Sequence, residues 1–492
     1  INTSWSFVGS DRVFPAARGI AAWLPGDESV LIYDKYDIWK LDPSGKKSPC
    51  NLTNEYGLQH HIVFKLGLYY EDGILSKDDK LILSAFNVDT KDNGFFCVNI
   101  NKSEDPHLLS MGAYVYHLDR NSISTFGAIP VKAKNAEMYI VQRMSATESP
   151  NYFSTRDFKT FNVLTDLHPE KAYSWYTSEL HNWKSLDGRN LQGILYKPEN
   201  FDATKQYPVI FYFYEKLSDG LNAFLEPAYS DGRIDIATYV SNGYLVLMPD
   251  IHYTPGDPMQ GTYDAVISAA NYVSKLPYVN SKKLGIQGHS FGGIQTNYLV
   301  ANTSLFAAAC TASGLSDMIS AYGTVSNSGA SLQGSFEGGG QYRMNGAPWD
   351  LTEAYVKNSP IFRANNITTP LLIMHNPKDG AVPFSQAIEF FTQLRRLGKK
   401  AWMLVYPNAD HTVDGNQSKD FTIRMMQFFD FYLKDKPAPI WMLDGISASR
   451  RGIDTGLELD STGRTPGPGL LTPEEKRKTD SLMTRPIRIT LK

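Results

Sequence analysis

The stretch of the chain richest in chemistry is Gly288-His289-Ser290-Phe291-Gly292-Gly293. It follows an apolar run over 284–287 that reads as a strand and precedes a helical pattern over 294–301. This is the G-x-S-x-G nucleophile elbow in the setting its chemistry requires. A serine on a sharp strand-to-helix turn needs small neighbours so that the backbone can cross itself closely. The N-terminus of the following helix points its N–H groups towards the oxyanion that forms when the serine attacks a carbonyl. The serine also needs a base, and in α/β-hydrolases the chain order is serine, acid, histidine. Only His375 and His411 follow Ser290. His375 sits inside a strand end, ahead of every well-placed acid, and reads as structural. His411 lies in Asp410-His411-Thr412, just after a strand that ends at Tyr406-Pro407. Loops at the carboxyl ends of strands are where ligand chemistry gathers in open α/β sheets, so His411 is the expected base. Of the aspartates between Ser290 and His411, Asp317 falls in a strand-to-helix region and Asp350 looks like a helix cap. Asp410 adjoins His411, and neighbouring side chains in an extended loop diverge. Asp379 comes just past the strand before the one that delivers His411, and it is the expected partner of the imidazole.

These residues need a scaffold that brings strand ends together. From about residue 175 near-continuous apolar runs (Val209-Ile210-Phe211-Tyr212-Phe213, Tyr244-Leu245-Val246-Leu247-Met248, Leu371-Leu372-Ile373-Met374, Trp402-Met403-Leu404-Val405) alternate with helical patterns. Such runs suit parallel strands covered on both faces. Ala387, Ile388, Phe391 and Leu394 form one apolar stripe stopped by Gly398; Phe421, Met425, Phe428, Phe429 and Tyr432 form another, stopped by Pro437. The fold class predicted over 175–436 is α/β, a doubly wound α/β-hydrolase sheet. Residues 437–492 form an irregular extension, with a short helix expected at Thr472-Pro473-Glu474-Glu475.

Residues 1–174 follow a different grammar. A polar turn, a short strand and a second strand recur: Val30-Leu31-Ile32-Tyr33 with Asp37-Ile38-Trp39-Lys40-Leu41-Asp42, then Ser76-Lys77-Asp78-Asp79 before Leu81-Ile82-Leu83 with Phe95-Phe96-Cys97-Val98-Asn99-Ile100, then Met138-Tyr139-Ile140-Val141 with Asn151-Tyr152-Phe153. That pattern suggests about three blades of a β-propeller, with an irregular β-sandwich as the alternative. Propellers close with about 4–8 blades, and an unclosed one exposes raw sheet edges. The expectation is therefore a missing N-terminal segment or a second chain that completes the propeller, a homo-oligomer included.

Composition removes other classes of function. The 48 Lys+Arg against 51 Asp+Glu give a formal charge of −3, without the strongly basic surface that nucleic acids or anionic membranes demand. No apolar run approaches the roughly 18 residues of a membrane span. The opening Ile1-Asn2-Thr3-Ser4-Trp5 has neither a basic nor a hydrophobic signal region and no initiating Met, which reads as a trimmed or cleaved product. Cys50, Cys97 and Cys310 are too few for a disulfide framework or a zinc site. Cys310 reads as a core thiol, and a Cys50–Cys97 bridge is compatible with the sequence.

Taken together, the residues resemble the prolyl oligopeptidase family of serine peptidases. The likeness rests on Trp183-Lys184-Ser185-Leu186-Asp187-Gly188-Arg189 with Gly193-Ile194-Leu195-Tyr196-Lys197-Pro198, on the elbow, and on Asn358-Ser359-Pro360 leading to Thr369-Pro370 and the strand ending at His375. Asp379 before Val382-Pro383, and Tyr406-Pro407 before His411, complete it. The resemblance implies a tyrosine hydroxyl in the oxyanion hole at the end of the strand that opens with Tyr207-Pro208, hence Tyr214, with the Phe291 N–H as second donor. Many members continue that tyrosine with Gly-Gly-Pro, where this chain has Glu215-Lys216-Leu217. An arginine used by some members to grip the substrate stands here as Ala381, and a tryptophan as Met318. Met318 and Tyr322 are the candidates for the pocket that receives the residue before the scissile bond.

The implied activity is hydrolysis of short or unfolded peptides through a Ser290-Asp379-His411 triad, gated by the propeller, with no metal or organic cofactor. The resemblance leans to a periplasmic or secreted peptidase. A carboxylesterase sharing the triad, and a non-catalytic assembly subunit that keeps the fold, are the rival readings.

Overall fold

The computed structural model describes residues 6–7, 16–67, 75, 80–116, 130–326, 329–338, 340–450 and 452–467. The turn at Ser76-Lys77-Asp78-Asp79, the opening Ile1-Asn2-Thr3-Ser4-Trp5 and the helix expected at Thr472-Pro473-Glu474-Glu475 lie outside the described residues. The chain divides into two compact units, Ile1–Tyr229 with Ile234–Ser281 and Leu332–Ala354, and Ser230–Arg233 with Lys282–Ser331 and Tyr355–Lys492.

In the first unit three antiparallel four-stranded meanders follow one another. The first runs Ile20–Trp23, Val30–Tyr33, Ile38–Leu41 and Cys50–Asn51; the second Ile62–Leu66, Lys80–Asn87, Asn93–Asn99 and His107–Gly112; the third Val131–Lys132, Tyr139–Ser145, Glu148–Thr155 and Asn162–Val163. Each is a sheet of the kind that forms a propeller blade, and the three follow the repeat in the sequence. The period of two along a strand explains how the sheets pack. Phe96 joins Leu31, Ile38, Leu81 and Leu83 in one core cluster. Its neighbour Phe95 points to the opposite face and joins Tyr139, Val141, Phe153 and Phe158 in another. Cys50 and Cys97 are free thiols, so no bridge joins them, and Cys310 is the buried thiol expected.

The same unit carries four strands of the α/β part. Tyr176–Lys184 and Asn190–Pro198 form an antiparallel hairpin, Asn190–Pro198 pairs antiparallel with Leu245–Pro249, and Tyr207–Tyr212 pairs parallel with Leu245–Pro249. The first two are antiparallel because a short turn, not a helix, joins them. The loop after Asn87 fastens the second meander to this part. Lys91, with a side chain wholly removed from solvent, donates to the Val88 carbonyl at 2.7 Å and to Asp219 Oδ1 at 2.9 Å. Asn222 Nδ2 donates to the Lys91 carbonyl at 2.9 Å. Burial lowers the pKa of the Lys91 ammonium, and the Asp219 carboxylate opposes that shift.

In the second unit Val279–His289, which begins in the first, is followed by Ala308–Ala312, Leu371–Met374 and Ala401–Leu404, each parallel to the one before. The α/β part thus has eight strands of mixed direction. The helix Ser385–Arg396 buries Ala387, Phe390 and Leu394. Ile388, expected on the buried stripe, is 43% exposed. At 100° per residue positions 387, 390 and 394 share one narrow arc, and 388 falls off it. Past the long helix Gly415–Lys434 the extension is tied down: Gln427 Nε2 donates to the Leu457 carbonyl at 2.7 Å, and Trp441 Nε1 donates to Gln427 Oε1 at 2.8 Å. Among the described residues no helix is long and apolar enough to cross a membrane.

Removing one partner of a buried ion pair strands the other charge. Asp219→Ala is therefore expected to cost about 3–5 kcal/mol, read as a lower urea midpoint. Lys91→Met, which removes the buried charge itself and leaves Asp219 beside Lys216 at 3.2 Å, is expected to cost much less.

Candidate active site

Ser290 is held at φ 59°, ψ −117°, between the strand Val279–His289 and the helix Phe291–Asn302. This backbone is strained for a residue with a side chain, and it persists because the surroundings dictate it. A Cβ on Gly288 would lie 2.0 Å from the Gly292 carbonyl oxygen, and one on Gly293 would lie 2.6 Å from the Cα of Gly314. The glycines of the motif are thus sites of backbone contact. The Ser290 N–H donates to the Ala312 carbonyl at 2.8 Å, tying the elbow to the neighbouring strand.

The side chains expected to act together are brought together. His411 Nε2 lies 2.9 Å from Ser290 Oγ, and His411 Nδ1 lies 2.9 Å from each oxygen of Asp379. Because a carboxylate only accepts, Nδ1 carries the proton and Nε2 is left to accept from the serine hydroxyl. Asp379 is fully buried at its side chain, and Oδ1 also accepts from the N–H groups of Ala381 and Val382 at 2.9 and 2.8 Å. Burial alone would push the Asp379 pKa up. The hydrogen bonds from His375, His411 and Val382 and the charge attraction of His411 outweigh burial, holding the carboxyl well below the usual range.

The loop that carries His411 is fixed by residues that the sequence did not mark. His289 Nε2 and Ser313 Oγ both donate to the His411 carbonyl, at 3.0 and 2.9 Å. Asp410 Oδ1 accepts from the N–H groups of Gly380 and His411, each at 2.7 Å, and Asn376 Nδ2 donates to the Asp410 carbonyl at 2.8 Å. Asp410 is therefore a tie between the loop of Asp379 and the loop of His411. Asp317 is a helix cap, accepting from the Ile319 N–H at 2.9 Å. Met318 opens that short helix with its side chain buried and its N–H on Ser359 Oγ at 2.9 Å; Tyr322 is 5% exposed and meets Tyr355 edge to face at 6.0 Å. Phe291 opens the helix Phe291–Asn302, at the end where backbone N–H groups point outward.

Tyr214 belongs to the first unit and sits two residues past the strand Tyr207–Tyr212. Gln341 Nε2 donates to its hydroxyl at 2.9 Å, and the Tyr253 hydroxyl donates to its carbonyl at 2.5 Å. The next residue, Glu215, pairs with the fully buried Arg343 at 2.7 Å. Among the described residues no group of three or more His, Cys, Asp and Glu side chains is arranged to hold a metal ion.

A positive-φ serine after a parallel strand, with acid and base on the loops of two further parallel strands, defines an α/β-hydrolase. The model of the prolyl oligopeptidase family (Peptidase_S9) matches residues 235–436. The chain is 26% identical over 338 residues to the uncharacterized peptidase YuxL of Bacillus subtilis, which covers 66% of this chain and 49% of that protein. It is 27% identical over 236 residues to dipeptidyl-peptidase 5 of Porphyromonas endodontalis, covering 45% of this chain and 32% of that one. The chain thus spans half or less of the length of these curated relatives. Among solved structures, Porphyromonas gingivalis dipeptidyl peptidase 4 superposes with a TM-score of 0.60 at 18% identity, covering 85% of this chain and 58% of that one. Pyrococcus horikoshii acylaminoacyl peptidase superposes with 0.56 at 18% identity, covering 86% and 64%. These likenesses establish the fold.

Burial pushes the His289 pKa down to about 4, against an ordinary value of 6.5. Between those values the unfolded chain binds a proton that the folded chain refuses, so acid favours unfolding. The urea midpoint is expected to fall as pH drops from 6.5 to about 4. His289→Gln, which keeps a donor for the His411 carbonyl, is expected to flatten that part of the curve.

Proposed function

We propose that the chain is the catalytic part of a serine peptidase that cleaves short or unfolded peptides, with 175–436 as its catalytic domain and the β-sheets of 1–174 limiting access. The observation that carries this reading is the relay from Ser290 Oγ to His411 Nε2 and from His411 Nδ1 to Asp379, with every step at 2.9 Å. As Ser290 Oγ bonds to the scissile carbonyl carbon, His411 Nε2 takes its proton, and Asp379 stays ionised beside the imidazolium. The carbonyl electrons move onto oxygen, where the Phe291 N–H holds the charge, and the family resemblance gives the Tyr214 hydroxyl as a second donor. Gln341 Nε2 donates into the phenol oxygen of Tyr214 at 2.9 Å, which fixes where that hydroxyl lies. The C–N bond then breaks as His411 returns its proton to the leaving amine. Water repeats the sequence, freeing the acid and restoring Ser290. Of the two residues expected at the pocket for the residue before the cut, Tyr322 keeps some exposed surface, whereas Met318 is wholly buried and can act there only from behind it.

The names of the relatives, peptidase and dipeptidyl-peptidase, support peptide bonds over simple esters as substrates. A periplasmic or secreted setting rests on the family resemblance alone.

A fluorophosphonate is expected to label Ser290 of the folded chain, and Ser290→Ala to abolish both labelling and cleavage of a peptide library read by mass spectrometry. Tyr214→Phe is expected to lower kcat by about 10²–10³, the size of one lost oxyanion donor. Ester turnover without any amide cleavage would overturn the peptidase reading, and absence of labelling would overturn the enzyme reading.

A further inference from the structure

Behind the triad lies a second histidine. His375 directly follows the strand Leu371–Met374, is wholly buried, and its N–H continues the strand pairing to the Leu404 carbonyl at 3.2 Å. Its ring meets Phe384 at 5.7 Å. Ring nitrogen Nε2 lies 3.1 Å from Asp379 Oδ2 and 3.1 Å from the Val382 carbonyl oxygen. Both neighbours only accept, so the proton is on Nε2, and the N–H donates to the Val382 carbonyl with the Asp379 carboxylate beside it. The other nitrogen, Nδ1, is buried with no hydrogen-bond partner. An unsatisfied buried polar atom costs about 1–3 kcal/mol. A leucine or methionine would fill a strand end of this kind without that cost, so packing does not account for a histidine here.

The arrangement of donors around Asp379 does account for it. Oδ1 is anchored by two backbone N–H groups, from Ala381 and Val382. That leaves the carboxylate able to turn about its last torsion, which is soft in aspartate. His375 Nε2 stands 3.1 Å from Oδ2, so the polarised edge of its ring faces the free side of the group, with His411 Nδ1 at 2.9 Å from both oxygens. By donating its N–H to the Val382 carbonyl, His375 also pins the turn whose amides hold Oδ1.

We propose that His375 is a positioning residue for Asp379, so that the relay has four members: Ser290, His411, Asp379 and His375. This rests on the triad reading above. His375→Met fills the space without a donor, and His375→Gln returns an N–H near the Nε2 position. His375→Met is expected to lower kcat by roughly 10–100-fold, the size of loss known where a partner that orients a metal ligand is removed, with little change in KM. Without this donor the Asp379 charge is less dispersed and holds a proton on His411 more strongly. The acid limb of the kcat/KM profile should therefore move to higher pH. The groups facing that titration are Asp379, His375, His289 and Asp410.

His375→Gln is expected to recover most of both effects. The fluorophosphonate reaction rate across pH and the urea midpoint are measured on the same three proteins. A folded His375→Met chain with the kcat and acid limb of the unsubstituted protein would overturn the proposal. So would equal losses in both variants that run parallel to the loss of urea midpoint. If the unsubstituted chain itself fails to label, the triad reading fails instead, which separates the two failures.

Discussion

An imidazole can relay a proton only while both of its nitrogens are held at once, and His411 meets that demand between residues far away in the chain. Its two partners, Ser290 and Asp379, sit at 2.9 Å on opposite sides of the ring. A tilt that shortens one bond lengthens the other, so the backbone beneath the ring must be fixed as well as the ring. Two donors, His289 and Ser313, converge on the His411 carbonyl. The parallel strands make this geometry attainable. Ser290 follows Val279–His289, Ser313 follows Ala308–Ala312, His375 and Asp379 follow Leu371–Met374, and His411 comes after Ala401–Leu404. Each of these strands is parallel to the one before it, so the same ends lie side by side.

What could be read from the sequence follows from how local each signal is. The elbow is local: its glycines, its serine and the change from strand to helix occupy six consecutive residues, and the structure gives Gly288 and Gly293 a steric reason. Chain order and the preceding strands single out Asp379 and His411, and the structure places His411 Nδ1 2.9 Å from both Asp379 oxygens. They do not single out His289, Ser313 and Asn376, although His289 is part of the elbow. The acceptor for His289 is 122 residues away and the one for Ser313 is 98 away. Nothing near either residue announces such a partner. His375 read as structural for the same reason: its neighbours in sequence are strand residues, and only folding turns its ring onto Asp379.

The fold was legible to a similar degree. The apolar run over 371–374 coincides with the strand Leu371–Met374, while the runs over 209–213, 244–248 and 402–405 lie one or two residues off the strands Tyr207–Tyr212, Leu245–Pro249 and Ala401–Leu404. Ala308–Ala312, with three alanines in five residues, carries little strand propensity and owes its form to parallel neighbours on both sides. The hairpin Tyr176–Lys184 with Asn190–Pro198 gave no apolar run in its first strand, since most of that strand is only half-buried.

The loop after Tyr214 shows how a departure from a family pattern is met physically. A Gly-Gly-Pro turn shapes itself through backbone preference, whereas Glu215-Lys216-Leu217 has no such preference and must be shaped from outside. Charge and hydrogen bonding do this. Arg343 draws in Glu215 at 2.7 Å while lying over the Tyr253 ring at 4.3 Å. Asp250 gathers the N–H groups of Leu217 and Ser218, each at 2.8 Å, and the Ser218 hydroxyl at 2.6 Å. One turn further on, Lys91 from the second meander closes on Asp219. A loop held by side chains from 91, 250 and 343 has a shape that depends on the β-sheets as well as on the α/β part. The sheets that precede the hydrolase strands are therefore part of what sets the backbone around Tyr214.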